Sequence, residues 1–83
     1  MKIIYFAWLR EQIGTDSEDI ALPSAIKTGQ DLLSFLKAHG DPYKTALQHG
    51  GSIGIAIDHQ MISHGDEIYN AKEVALFPPM TGG

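Results

Sequence analysis

Clusters of β-branched and aromatic residues, and alternation between apolar and polar positions, predict several β-strands in this chain. The predicted strands are 2–8, 18–22, 52–58, 59–63 and 72–77. The fourth is expected to pair with the third as a hairpin. Pro23 closes the second strand and Pro78 ends the last, because proline cannot donate a hydrogen bond within a sheet. Residues 14–17 are rich in turn formers and are predicted to connect the first two strands.

Apolar residues at helical spacing predict one main helix over residues 28–40. Leu32 and Leu36 lie four positions apart and therefore share one side of this helix. Thr28 is a natural N-cap, since its hydroxyl can accept a backbone hydrogen bond in the first turn. Gly40 is expected to end the helix, because glycine readily adopts the left-handed conformation found there.

A second, shorter helix is predicted at 41–51, where it begins at Asp41 and is stopped by Gly50. The order of elements indicates an α+β fold in which one main helix packs on one face of a small mixed sheet. The predicted domain spans residues 1–77, and residues 78–83 are predicted to form a flexible C-terminal tail.

Strand parity predicts which side chains face solvent, because successive residues of a strand point to opposite faces. Lys2 is expected to stay in water, so Ile4 and Phe6, on the same face, are expected to point outward with it. The same argument directs Ala75 and Phe77 outward. The residues of the third strand expected on this face are Gly54, Ala56 and Asp58. A contiguous apolar patch of this kind marks a binding surface. Alternatively, one or two of these side chains fold over the sheet edge and only pack.

Composition excludes several classes of chemistry. The chain has no cysteine, so disulfides and thiolate sites are ruled out. Its four histidines lack the spacing of a zinc site, and no metal is expected. A net charge of −4 with six lysine and arginine residues favours a basic protein partner over nucleic acid. No apolar run approaches the roughly 20 residues that span a membrane, and no signal peptide is recognisable, so a cytoplasmic location is expected.

The last seven residues of the sequence, "FPPMTGG", have unusual chemistry. Pro78 and Pro79 have a fixed φ, which would direct the segment away from the last strand. Thr81, Gly82 and Gly83 carry little bulk, so a terminal carboxylate could enter a narrow cleft of another protein. Such a carboxylate becomes reactive once it is adenylated, and it could then accept sulfur, an amine or a thiol.

Two motifs connect the chain to a known family. The segment "FAWLREQIG" is similar to a family pattern F-A-x-L-R-E-x-x-G, and "EVALFPPMTGG" is similar to the family ending E-V-A-x-F-P-P-[V/M]-[ST]-G-G. On these residues the chain resembles the small subunits of molybdopterin synthase, which are ubiquitin-like β-grasp sulfur carriers. The resemblance covers essentially the whole chain and implies the ubiquitin-like β-grasp fold.

The resemblance implies a role for the terminal glycine. Gly83 would be adenylated by an E1-like enzyme that uses ATP, and a sulfur donor protein would convert it to a thiocarboxylate. The sulfur would then pass to cyclic pyranopterin monophosphate in molybdenum cofactor biosynthesis. The chain itself would bind no cofactor and would not be an enzyme alone.

The resemblance also implies a hetero-oligomer with the larger catalytic subunit of the synthase. Interface positions would be Phe6, Met61 and Phe77, beside the Ile4 and Ala75 of the predicted patch. The tail residues that would insert into the large subunit are Pro78, Pro79, Met80, Thr81 and Gly82.

Three other functions stay open on the sequence. The first is a sulfur carrier for thiamine or tRNA thiolation, although "FPP" before the glycines argues against the thiamine type. The second is a ubiquitin-like modifier that is joined to protein lysines. The third is a non-covalent adaptor in which the tail only docks.

Overall fold

The computed structural model describes residues 1–48, 50–68 and 71–78 of the chain. The strands are β1 (Lys2–Tyr5), β2 (Ser17–Asp19), β3 (Gly54–Ile57), β4 (Gln60–Ile62) and β5 (Glu73–Phe77). The helices are α1 (Trp8–Ile13), α2 (Gly29–Lys37) and α3 (Asp41–Ala46), with a 3-10 turn at Gly50–Ser52. Residues 79–83 lie outside the described residues, so the division into a 1–77 domain and a tail stays a prediction.

The five strands form one mixed sheet in the order β2-β1-β5-β3-β4. At its centre β1 and β5 pair in parallel, with Ile3 opposite Val74 and Tyr5 opposite Leu76. The remaining neighbours pair antiparallel. The predicted α+β architecture with a mixed sheet is therefore confirmed.

The inner face of the sheet packs against α2. Leu32 and Leu36 are fully buried, as their spacing predicted. Gly29, in the first turn of α2, lies so close to β3 that a Cβ built there would be 2.7 Å from Ile55 Cδ1. The core consists of Ile3, Tyr5, Leu9, Leu32, Leu33, Leu36, Ala46, Leu47, Ile53, Ile55, Ile68, Val74 and Leu76. Burying each large side chain of this set contributes roughly 1.5–3 kcal/mol.

A capping box fixes the start of α2. Thr28 Oγ1 accepts a hydrogen bond from the Asp31 amide at 3.1 Å, and Asp31 Oδ2 accepts one from the Thr28 amide at 3.2 Å. A further bond, from the Lys27 amide to Asp31 Oδ2, measures 3.1 Å. Thr28 is therefore the N-cap, as predicted. These backbone donors hold the pKa of the Asp31 carboxyl below its ordinary value.

The predicted ends of α2 and α3 were wrong. The helix α2 ends at Lys37, and Gly40, with φ 149°, instead precedes α3 as its N-cap. Pro42 lies at the start of α3, where its missing N–H costs nothing. The helix stops at Ala46, well before Gly50, and Leu47 follows with a non-helical backbone and a fully buried side chain.

The first predicted strand was too long, because its last residue, Trp8, begins the helix α1. Ala7 turns the chain with a φ of 53°, and it is exposed rather than on the inner face. Gly14 ends α1 in the left-handed conformation and donates a hydrogen bond to the Arg10 carbonyl at 2.9 Å. Leu9 is fully buried and holds this short helix on the core.

The predicted hairpin of the third and fourth strands is confirmed, with slightly shorter strands. Asp58 and His59 form its two-residue turn with φ values of 47° and 73°. Positive φ at both positions gives the turn the twist that suits a hairpin. The Asp58 carboxylate accepts hydrogen bonds from the amides of Lys72 and Glu73, which ties the turn to the start of β5. In contrast, the second strand covers Ser17–Asp19 instead of 18–22.

A carboxylate joins three elements at one end of the core. Glu18 Oε2 on β2 accepts hydrogen bonds from the hydroxyls of Tyr5 at 2.7 Å and Tyr43 at 2.8 Å. Tyr5 is only 1% exposed. Burial, followed by the hydrogen bond to Glu18, raises the pKa of the Tyr5 phenol well above its ordinary value. The same two causes raise the pKa of Tyr43.

Replacing Glu18 with alanine is expected to lower the free energy of unfolding by about 1–3 kcal/mol, because a buried hydroxyl loses its acceptor. Urea denaturation at pH 7 measures the change. Asp19→Ala is the matched control: its side chain is 88% exposed, and its carboxylate lies 3.6 Å from the amino terminus. It is expected to change stability by less than about 0.5 kcal/mol. Equal losses in the two variants would contradict this role for Glu18.

Asp31 is expected to make stability depend on pH. Its folded pKa is depressed, so its contribution is present above the unfolded pKa of about 3.9 and is lost as pH falls through the folded pKa. In urea denaturation at pH 7, wild type should have a clearly larger free energy of unfolding than Asp31→Asn. The difference between the two should be smaller near pH 3. Asp16→Asn, at an exposed turn, is the control. If this difference in the free energy of unfolding does not change with pH, the Asp31 carboxylate is not the source of the pH dependence.

Candidate partner-binding site

The sheet face opposite α2, called the outer face here, is organised in rows by the strand register. One row runs across the middle of the sheet, where Ile4 pairs with Ala75, Ala75 with Ala56, and Ala56 with Met61. All four residues are apolar. This row therefore joins strands β1, β5, β3 and β4 into one hydrophobic band.

The next row contains a stacked aromatic pair. The rings of Phe6 and Phe77 lie 4.7 Å apart between centroids, at an interplanar angle of 10°. The Phe6 amide donates a hydrogen bond to the Leu76 carbonyl at 3.1 Å, which continues the β1–β5 pairing beyond the end of β1. Such a ring pair contributes about 0.5–1.5 kcal/mol beyond its buried area. Phe6 remains 40% exposed, so the pair packs together and still presents apolar surface.

Gly54 lies close to side chains of both rows. Gly54 pairs with Phe77 across β3 and β5. A Cβ built on Gly54 would lie 3.4 Å from Met61 Cε and 3.5 Å from Phe77 Cβ, so both side chains reach over the glycine. Met61 is 62% exposed, the largest exposure of any big hydrophobic side chain in the described part of the chain.

These two rows form one continuous surface, which we call the outer patch. The outer patch consists of Ile4, Phe6, Gly54, Ala56, Met61, Ala75 and Phe77. The predicted outward placement of Ile4, Phe6, Ala75 and Phe77 is thus confirmed. Ala56 also lies on this face as predicted, yet it is only 6% exposed, in register between Met61 and Ala75. Sequence parity alone could not give that burial.

The opposite end of the outer face is polar. Lys2 pairs with Glu73 there, and Asp58 and His59 form the neighbouring turn. The His59 ring lies 3.8 Å from the Glu73 carboxylate. The outer face therefore changes from charged to apolar along β5, and Pro78 follows directly at the apolar end. The other five predicted tail residues lie outside the described residues.

The structure also shows surface that the sequence reasoning missed. Trp8, expected at the end of a strand, is the first residue of α1 and is 40% exposed. An open depression of about 210 Å³ adjoins the outer patch, and its lining includes Ile4, Phe6, Lys2 and Arg10. The one sequence signal for α1 was the pair Leu9 and Ile13, four residues apart before a glycine.

Two findings bear on metals and membranes. No group of three or more potential metal-binding side chains occurs within residues 1–48, 50–68 and 71–78. Within the same ranges, no helix combines the length and apolar character needed to cross a membrane. The predicted cytoplasmic location stays a prediction.

A small mixed sheet, with its first and last strands parallel at the centre and one main helix on one face, defines the ubiquitin-like β-grasp class. The chain belongs to the ThiS family, whose model matches residues 3–83. It is 32% identical over 83 residues to the molybdopterin synthase sulfur carrier subunit of Escherichia coli, an alignment that covers 100% of this chain and 99% of that protein. The family resemblance seen in the two sequence motifs is thereby confirmed.

Solved structures agree with this fold. One is a Pyrococcus furiosus protein provisionally named molybdopterin converting factor, subunit 1, with a TM-score of 0.72, 25% identity and 95% of each chain covered. Another is SAMP1, small archaeal modifier protein 1, from Haloferax volcanii, with a TM-score of 0.70, 25% identity, and 100% of this chain and 98% of that chain covered. The predicted ubiquitin-like β-grasp fold is confirmed, whereas the roles of individual site residues stay predictions.

Proposed function

We propose that this protein is the sulfur carrier subunit of molybdopterin synthase. The observation that carries the proposal is its full-length similarity to the Escherichia coli sulfur carrier subunit. The ThiS family match extends through Gly83, the residue on which the chemistry depends. The outer patch adds physical support, because a carrier must dock on its partners and contiguous apolar surface serves such docking.

The proposed chemistry takes place at the Gly83 carboxylate. A carboxylate oxygen attacks the α-phosphorus of ATP on an E1-like enzyme, and pyrophosphate leaves. A persulfide on a donor protein then attacks the acyl carbon and displaces AMP, which forms an acyl disulfide. A second thiol breaks the sulfur–sulfur bond of this acyl disulfide, which releases the thiocarboxylate and leaves a disulfide between the second thiol and the donor. Transfer of that sulfur to cyclic pyranopterin monophosphate, with water, restores the carboxylate. Glycine suits this position because it has no side chain to obstruct the attack.

In this proposal, the outer patch binds the larger catalytic subunit and residues 78–83 act as the inserted tail. The apolar end of the outer face supports this arrangement, because β5 continues from Phe77 directly into Pro78. A fully extended segment of that length could reach roughly 20 Å. Once the patch is docked, the length of the tail would therefore limit how far from Phe77 the partner's active site can lie.

A ubiquitin-like modifier is the second candidate, and the fold similarity to small archaeal modifier protein 1 favours it. An activated glycine serves both functions, but the products differ. A modifier forms stable isopeptide bonds to many lysines, whereas a carrier returns to the free carboxylate. A sulfur carrier for thiamine or tRNA thiolation would share the thiocarboxylate and differ only in the acceptor.

Mass spectrometry of the C-terminal peptide tests the proposal. After incubation with ATP, an E1-like enzyme and a sulfur source, we expect a thiocarboxylate at Gly83 that reacts with a selective alkylating reagent. Alkylation is needed because exchange of oxygen for sulfur nearly matches one methionine oxidation in mass, and the chain has three methionines. The variant lacking Gly83 is the control. An unmodified terminus, in a reaction where the enzyme is demonstrably active, would favour a non-covalent adaptor.

Phe77→Glu is expected to weaken binding of the large subunit roughly tenfold or more, because the complex must then desolvate a charge at an apolar contact. Isothermal titration calorimetry measures the affinity, and circular dichroism checks that the fold is kept. Phe77→Leu retains an apolar side chain and should lose much less affinity. Ser34→Glu places the same charge on an exposed position of α2 and controls for net charge. Unchanged affinity in Phe77→Glu would remove Phe77 from the interface.

A further inference from the structure

Met61 is both exposed to solvent and part of the outer patch. It is 62% exposed, so solutes reach its side chain from water. It also belongs to the outer patch, where its Cε lies 3.4 Å from the position of a Gly54 Cβ. Its strand β4 pairs only with β3 within the described residues, which leaves Met61 at the rim of the sheet.

The exposed thioether of Met61 is open to oxidation. Peroxides oxidise accessible methionine to the sulfoxide, which turns a flexible apolar side chain into a polar one. The oxygen–oxygen bond of the peroxide breaks, a sulfur–oxygen bond forms, and methionine loses two electrons while the peroxide is reduced to water or an alcohol. Methionine sulfoxide reductases reverse the change with electrons from thiols.

We propose that Met61 is an oxidation site and that its conversion to the sulfoxide lowers the affinity of the outer patch for its partner. The proposal rests on the proposed function of the patch as the surface that docks on the large subunit. A sulfoxide oxygen is a strong hydrogen-bond acceptor, and burying it against apolar groups without a donor costs free energy. Affinity should therefore fall roughly tenfold or more once Met61 is oxidised.

The fold should survive this oxidation, since an exposed side chain contributes little to the core. Met1 differs, because it packs partly buried against the core cluster and its oxidation would act through stability. Met80 lies outside the described residues but within the predicted tail, so the experiment must separate its oxidation from that of Met61.

The test uses the full chain as wild type, Met61→Leu and Met80→Leu. Each carrier is treated with hydrogen peroxide, catalase removes the excess, and peptide mass spectrometry quantifies the sulfoxide at each methionine. Calorimetry then measures the affinity for the untreated large subunit, and each treated variant is compared with its own untreated sample. Circular dichroism checks that the fold is kept.

Wild type and Met80→Leu should both lose affinity on oxidation, Met61→Leu should lose much less, and sulfoxide reductases should restore binding. Three results would overturn the inference: Met61 stays reduced under these conditions, its full oxidation leaves affinity unchanged, or Met61→Leu loses as much affinity as wild type. If untreated wild type does not bind the large subunit at all, the proposed function fails as well, so the two failures are distinguishable.

Discussion

The parallel pairing of β1 and β5 is the constraint on which the rest of this structure depends. It places alternate residues of both strands on the same two faces, so the inward members bury against α2 and the outward members form the centre of the outer patch. The stacked rings of Phe6 and Phe77 extend the same pairing past the last residue of β1. One ladder thus builds the core and the candidate binding surface together.

Two small residues of β3 lie within the outer patch. Met61 and Phe77 both lie next to Gly54, and Ala56 lies in register between Met61 and Ala75, so the apolar surface is continuous without a large side chain in β3. At the far end of the outer face, the charged residues Lys2 and Glu73 pair with each other across β1 and β5. A partner that binds through hydrophobic contacts is therefore expected to dock at the end of the sheet where Pro78 follows β5.

The outward-facing residues of the strands were predictable from the sequence, because single charged residues such as Lys2 and Glu73 indicate which face of a strand is exposed to solvent. The cap at Thr28 was predictable because it is a local interaction. The helix α1 was missed because it spans only six residues and begins after Ala7, whose positive φ has no sequence signal. The place of Met61 in the outer patch came only from family resemblance, since no local pattern reports which strands become neighbours.

The central ladder also sets an order of events in folding. Lys2 and Glu73 are partners although they stand near opposite ends of the chain, so the sheet must close a loop of almost the whole sequence before its centre exists. During synthesis, β1 can pair with β2, but its other edge has no partner until β5 has emerged from the ribosome. An unfinished chain therefore cannot assemble the stacked aromatic pair. The outer patch therefore exists only in chains whose last strand has been synthesised.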